Sequence, residues 1–314
     1  MKLKAIFFQI KFFTLISASF FIFNKSFAQY FVGTGLYDIT GPVAEVGMMG
    51  YAKPDQIASG LHMRLHARAF IIGDTNGQKR VVFVSADLGH IFTSIKQGVI
   101  QKLSEKFGDL YTNENVMLSA THTHSGPGGY AHEALFNITT LGYIKENYDA
   151  IVNGIVVAIT RAHENIKTSD ILINRGEILN ASKNRSLPAY ENNPAEEKAK
   201  YLYPFDTSMT LLRFQNGAHE IGMLNWFSLH PVSMSNLNHL VSPDHKGVAS
   251  TFFEKEKRIF NEKNNSFVAA FAQSNEGDVS PNINNEPDDP VENDFKRTKE
   301  AVTKQFNKAK ELYY

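Results

Sequence analysis

Apolar residues along this chain fall into short unbroken runs, broken by polar stretches rich in glycine and proline, with a few longer segments of helical period. Arg80–Asp87 (RVVFVSAD) and Asn115–Ala120 (NVMLSA) are continuous runs that end in polar residues, and both predict buried strands. Further strands are predicted at 209–215, 219–229 and 266–273. Helical spacing predicts helices over 94–107, 143–164, 247–260 and 293–312, the first ending near Gly108. His62–Arg68 alternates as a strand does, its histidines and arginines forming a polar face. Segments 192–200 and 284–294 read as exposed loops. Strands that alternate with helices give an α/β fold class: a mixed, largely buried β-sheet flanked by helices.

Several buried strands run directly into polar turns, at 87–90, 122–129, 230–235 and 275–282. Sites on open α/β sheets gather outside the carboxyl ends of strands, so these four loops are expected to converge on an active site. His122 and His124 stand two apart, and in an extended segment both would face one pocket. There they could share a zinc ion, or divide the work of metal ligand and proton shuttle; a solvated polar loop is the alternative. His230 ends the run Leu224–Leu229 in the same position relative to its strand. Two histidines from separate strands still fall short of the three protein ligands usual at catalytic zinc. Ser280 lies in Asn275–Asn282, where it would serve as nucleophile, hydrogen-bond donor or plain turn residue; the surroundings are not a GxSxG elbow. Arg185 would hold an oxyanion, or lie on the surface. Asp244-His245 suggests a triad with Ser280. Gly33-Thr34-Gly35 lacks the third glycine and following helix of a dinucleotide fingerprint.

Composition narrows the class. With 43% hydrophobic and 20% charged residues in 314, disorder, collagen and coiled coil are excluded as the main architecture. Thirty-two basic against 32 acidic residues leave no excess for a nucleic-acid face. Residues 1–28 carry Lys2, Lys4, Lys11 and Lys25, no acid, and the apolar run Phe12–Phe23. That run is too short to span a bilayer comfortably, and Ser26-Phe27-Ala28 before Gln29 reads as a cleavage site, so the segment is expected to be a signal peptide and the protein secreted or periplasmic, an uncleaved N-terminal anchor being the alternative. Residues 29–314 then hold 28 basic and 32 acidic side chains, a net charge of about −4. No cysteine is present, hence no disulfide and no lipid-anchor thiol.

Six ordered blocks of this sequence resemble the neutral/alkaline, non-lysosomal ceramidases: Gly33–Pro42, Gly60–Phe70, Leu118–Gly129, Asn184–Ser186, Asn225–Met234 and Asn275–Asn282. The resemblance covers nearly all of 29–314. It implies a secreted zinc amidohydrolase that splits ceramide, met at a membrane or micelle surface, into sphingosine and a fatty acid. By the same resemblance His122 and His230 would bind zinc, His124 would transfer protons, Arg185 would be an essential active-site arginine, and Ser280 would be nucleophile or substrate-orienting group. The family's remaining zinc ligands, a glutamate and a tyrosine, are expected beyond the matched region, and Glu311 and Tyr313 are not substitutes for them. Residues 29–314 are therefore expected to form an N-terminal part of a catalytic domain, whose C-terminal half and immunoglobulin-like domain would be missing partners. A catalytically incomplete lipid-binding fragment and a metal-independent serine amidase or esterase are the alternatives.

Overall fold

A computed structural model describes residues 30–260, 267–283 and 291–314; the expected signal segment and most of loop 284–294 lie outside the described residues. Strands β1 (Tyr30–Asp38), β2 (Ala44–Met49), β3 (Ile57–Leu61), β4 (His66–Gly73) and β5 (Arg80–Ala86) lead into helix α1 (Thr93–Phe107). Next come β6 (Val116–Ala120), β7 (Gly126–Pro127), the short α2 (Ala134–Asn137), the long α3 (Lys145–Glu164), β8 (Lys167–Glu177) and β9 (Lys183–Asn184). Short helices α4 (Leu187–Glu191) and α5 (Ala195–Lys198) precede β10 (Ser208–Asn216), β11 (His219–Phe227) and β12 (Leu240–Val241). The chain closes with α6 (Asp244–Phe260), β13 (Val268–Gln273), β14 (Val279–Ser280) and α7 (Val291–Tyr313).

The main sheet runs β13-β11-β10-β8-β1-β4-β5-β6. It is antiparallel through its middle and parallel in its outermost pairs, β11 with β13 and β5 with β6. Strand β8 is the joint. Its first residues pair with Tyr30–Val32 of β1, and from Asp170 onward it pairs with β10. The sheet folds over there, so that its halves face each other: Phe70 meets Phe214 at 5.7 Å between ring centroids, and Phe83 meets Trp226 at 5.5 Å. Val32, Leu224, Val268 and Ala270 complete this inner core. Helices α3 and α1 cover the outside of one half, and α6 and α7 the outside of the other, each over its own apolar cluster. The layers therefore run helix, sheet, sheet, helix. A smaller sheet, β12-β3-β2-β7, and the β14-β9 pair are built from the loop segments.

The α/β class with a mixed, helix-flanked sheet is what the structure has. One local reading changes. Arg68 is not on a polar face: it is 1% exposed, bonded to Asp87 at 2.9 Å and to Glu254 of α6 at 3.0 Å. Strand β4 runs between β1 and β5 inside the molecule, where a guanidinium persists only when its charge is matched. Gly33 and Gly35 serve packing. A Cβ on Gly33 would stand 2.0 Å from the Ala162 carbonyl oxygen, and one on Gly35 2.1 Å from that of Ala158, so the glycines let α3 lie directly on β1.

Candidate functional site

Strand β6 stops at Ala120, and two residues later the backbone turns sharply: His122 has φ +69°, in the left-handed region that a residue with a side chain rarely adopts. The kink is held by buried partners. Thr123 Oγ1 donates to the Ser242 carbonyl at 2.7 Å and accepts the Ser125 N–H at 3.2 Å, while the His122 N–H donates to the Leu88 carbonyl at 2.9 Å. His122 and His124 do converge, but through this kink rather than through strand alternation. Their Nε2 atoms are 3.2 Å apart, and His230 Nε2 lies 3.2 Å from His124 Nε2. One ligand atom from each of the three rings lies within 4.8 Å of the others.

Two of the rings are oriented from behind. His122 Nδ1 donates to the Gly89 carbonyl at 2.6 Å, and His230 Nδ1 donates to that of Glu276 at 3.1 Å. Each bond places the proton on Nδ1 and leaves the Nε2 lone pair facing the cluster. His124 is held edge-on by Tyr51, 4.7 Å between centroids, and the Tyr51 hydroxyl donates to the Met234 carbonyl at 2.6 Å. Gly50 makes room for that ring, since a Cβ there would stand 2.5 Å from His124 Cγ. A fourth histidine, His90, packs edge-on against His122 at 4.9 Å.

Burial, followed by the neighbouring imidazoles, pushes His124 down to about 2. Burial and then Arg185 push His230 down to about 4, against the bond to Glu276, which works the other way. Burial lowers His122 and His90 as well. The rings are thus neutral, and His122 and His230 both turn lone pairs inward at a shared neighbour that carries one ring proton. A cation at the centre removes that conflict, and a donor set of imidazole nitrogens with anchored Nδ1–H groups fits zinc.

Arg185 and Ser280 come from one two-stranded element. Val279 of β14 pairs with Asn184 of β9, and Ser280 with Lys183. Arg185 donates its backbone N–H to Asp278 at 2.7 Å and its Nε–H to the Gly277 carbonyl at 3.1 Å. Its charge depresses all three histidines, so the guanidinium lies within electrostatic reach of the cluster. Ser280 is buried, and its Oγ accepts the Asn282 N–H at 3.2 Å. A cleft of about 610 Å³ opens beside this element, lined by Tyr190, Tyr201, Tyr203, Phe205 and Asp278 among others.

His245 does not form a triad with Ser280. Its Nε2 donates to the His230 carbonyl at 3.1 Å, and its Nδ1 accepts from Gln305 at 3.0 Å, so both nitrogens are spent elsewhere. Residues that carried no sequence signal of their own also shape the site. Gly50 and Tyr51 arrive from the loop after β2. Glu276 sits inside a block read for its turn; its carboxyl is pushed up to about 7 by burial, and Oε2 has no hydrogen-bond partner among the described residues.

Residues 30–314 match the sequence model of the family described as neutral/alkaline non-lysosomal ceramidase, N-terminal. Neutral ceramidase A of Dictyostelium discoideum is 49% identical over 259 residues, which are 81% of this chain and 36% of that protein. Neutral ceramidase of Pseudomonas aeruginosa is 43% identical over 285 residues, 90% of this chain and 42% of that protein. The crystal structure of neutral ceramidase from Pseudomonas aeruginosa matches the fold with a TM-score of 0.84 at 44% identity, covering 91% of this chain and 45% of that one. The chain therefore spans less than half the length of these relatives.

Proposed function

The chain belongs to the neutral/alkaline non-lysosomal ceramidase family, and from that membership we propose that it acts in zinc-dependent hydrolysis of the N-acyl bond of ceramide, releasing sphingosine and a fatty acid. The observation that carries the reading is the convergence of three histidine Nε2 atoms, two of them with Nδ1 anchored on backbone carbonyls. His122 and His230 would hold the metal, which when bound supplies Lewis acidity at the amide carbonyl. His124, 3.2 Å from both, would take a proton at Nε2 and return it to the departing nitrogen. In the net reaction water supplies a C–O bond to the acyl carbon, the C–N bond breaks, and the amine leaves with a proton. Arg185, fixed by two carbonyls of the 277–278 turn, balances the negative charge that develops on the acyl oxygen.

Ser280 Oγ already accepts the Asn282 N–H, and among the described residues no base bonds to it. That arrangement favours a hydroxyl that donates to substrate over a nucleophile. The aromatic-walled cleft suits an alkyl chain. The signal-like segment 1–28 supports work outside the cytoplasm.

Metal analysis after equilibrium dialysis tests the reading together with an assay. In a protein that joins this chain to the region expected to supply the remaining ligands, we expect bound zinc to be lost in His122→Ala and in His230→Ala while both variants still melt cooperatively. Hydrolysis of a short-acyl ceramide in detergent is expected to stop on chelation and return with zinc. Stoichiometric zinc retained in both variants, or turnover that survives chelation, overturns it.

A further inference from the structure

Helix α6 opens with three consecutive ionisable residues, Asp244, His245 and Lys246, each 0% exposed. Groups of this kind inside a core destabilise it unless they are bonded, and all three are bonded to the segment that carries His230 or to the strand ends that launch it. The Asp244 carboxylate accepts from Ser233 Oγ and from the Met234 N–H at 3.2 Å. His245 Nε2 donates to the His230 carbonyl oxygen at 3.1 Å. Lys246 Nζ donates to the Phe227 carbonyl at 2.6 Å and to that of Ala272 at 3.2 Å. Phe227 ends β11, three residues before His230. Ala272 lies near the end of β13, four residues before the Glu276 carbonyl that orients the His230 ring.

Helix α7 sets the state of this platform. Gln305 Nε2 donates to the Ala301 carbonyl at 3.1 Å, which fixes the amide orientation, and also to His245 Nδ1 at 3.0 Å. His245 Nδ1 is therefore an acceptor, and the ring proton stands on Nε2, aimed at His230. Thr298 and Arg297 of α7 reach Ser233 from the same side, at 2.8 and 3.2 Å.

The His230 carbonyl already accepts the Val232 N–H at 2.9 Å. A second, buried donor is not needed to satisfy it. What His245 adds is a fixed position. We propose that Asp244, His245 and Lys246 are positioning residues for His230, and that Gln305 sets the tautomer through which His245 holds the His230 backbone. The consequence for metal rests on the function proposed above; the positioning itself does not.

The test uses the whole chain with histidines isotopically labelled, first in chelator and then titrated with zinc. In His245→Phe, which keeps an aromatic ring and removes both nitrogens, the His230 ring resonance shifts and the Val232 and Met234 amides exchange faster. Zinc binds about 10–100-fold more weakly in this variant, the range for lost outer-shell support at a metal ligand. His245→Gln, which retains a donor at the Nε2 position, returns both readouts most of the way to wild type. Gln305→Leu leaves His245 in place but frees its tautomer, shifts the His230 resonance, and keeps the proposal testable if His245→Phe fails to fold. An unchanged His230 resonance in a folded His245→Phe or in Gln305→Leu overturns the proposal, as does a His245→Gln that loses as much as His245→Phe. A wild-type chain that binds no zinc removes the proposed function, while the metal-free resonances still decide the positioning.

Discussion

Lys246 shows how much one residue can report. Its ammonium is wholly buried against two carbonyls, and burial pushes it down to about 7. An unfolded lysine titrates near 10.4, roughly the model-peptide value. Between about 7 and that value the unfolded chain binds a proton that the folded chain has given up, so stability rises with pH across the window. Urea unfolding at pH 7 and pH 9.5 is expected to show wild type gaining up to a few kcal/mol, and Lys246→Met gaining clearly less. An equal gain in the two proteins would mean that Lys246 keeps an ordinary pKa. At this scale the sequence was informative about which histidines gather and uninformative about how they meet. His122, His124 and His230 stood out by position after apolar runs. The positive φ of His122 and the burial of Thr123 are set by contacts with Ser242 and Leu88, distant in the chain, and no local pattern encodes them. Asp244-His245 drew notice as a triad fragment, yet Asp244 proved to bond Ser233 and Met234, and His245 to bond His230 and Gln305.

Among the elements, the contact of α3 with β1 is the most demanding. The carbonyl oxygen of Ala158 and the amide nitrogen of Ala162 would stand 2.1 and 2.5 Å from a Cβ on Gly35. Both are helix backbone and cannot rotate away as a flexible side chain would. Gly35→Ala must push α3 off the sheet, a strain of about 1–3 kcal/mol by the usual cost of overpacking. The expected result is a lower urea midpoint with an unchanged slope; a midpoint equal to wild type would show that the layers part at no cost. This demand also explains which elements were legible. Apolar runs such as Arg80–Ala86 and Val268–Gln273 announced β5 and β13, and helical spacing announced α1, α3, α6 and α7 within a few residues. Strand β1 was hidden because its glycines, placed for α3, weaken the strand pattern. Strand β8 was hidden because it crosses between halves and leaves Ile173 70% exposed, which blurs its alternation.

At the scale of the molecule, the candidate site belongs to both halves of the folded sheet. His122 and His124 follow β6 in one half, while His230 follows β11 and Glu276 follows β13 in the other. The halves share β8, and the inner core between them contains the chain's single tryptophan, Trp226, packed against Phe83 across the interface. If the two halves form one cooperative unit, loss of the interface and loss of secondary structure are the same event. Urea unfolding followed by Trp226 fluorescence and by far-ultraviolet circular dichroism should then give coincident curves. Zinc held between His122 and His230 would bind only when both halves are docked. It should therefore move both curves together, by about 2.7 kcal/mol at a free concentration of one hundred times Kd. Fluorescence that changes ahead of circular dichroism, or zinc that shifts one probe alone, would separate the halves and place the histidines of each on independently folding units. Coincidence would tie the geometry of the histidine cluster to the same cooperative interface that stabilises the domain, so that a change in the Phe70–Phe214 or Phe83–Trp226 contact would weaken zinc binding without touching a ligand.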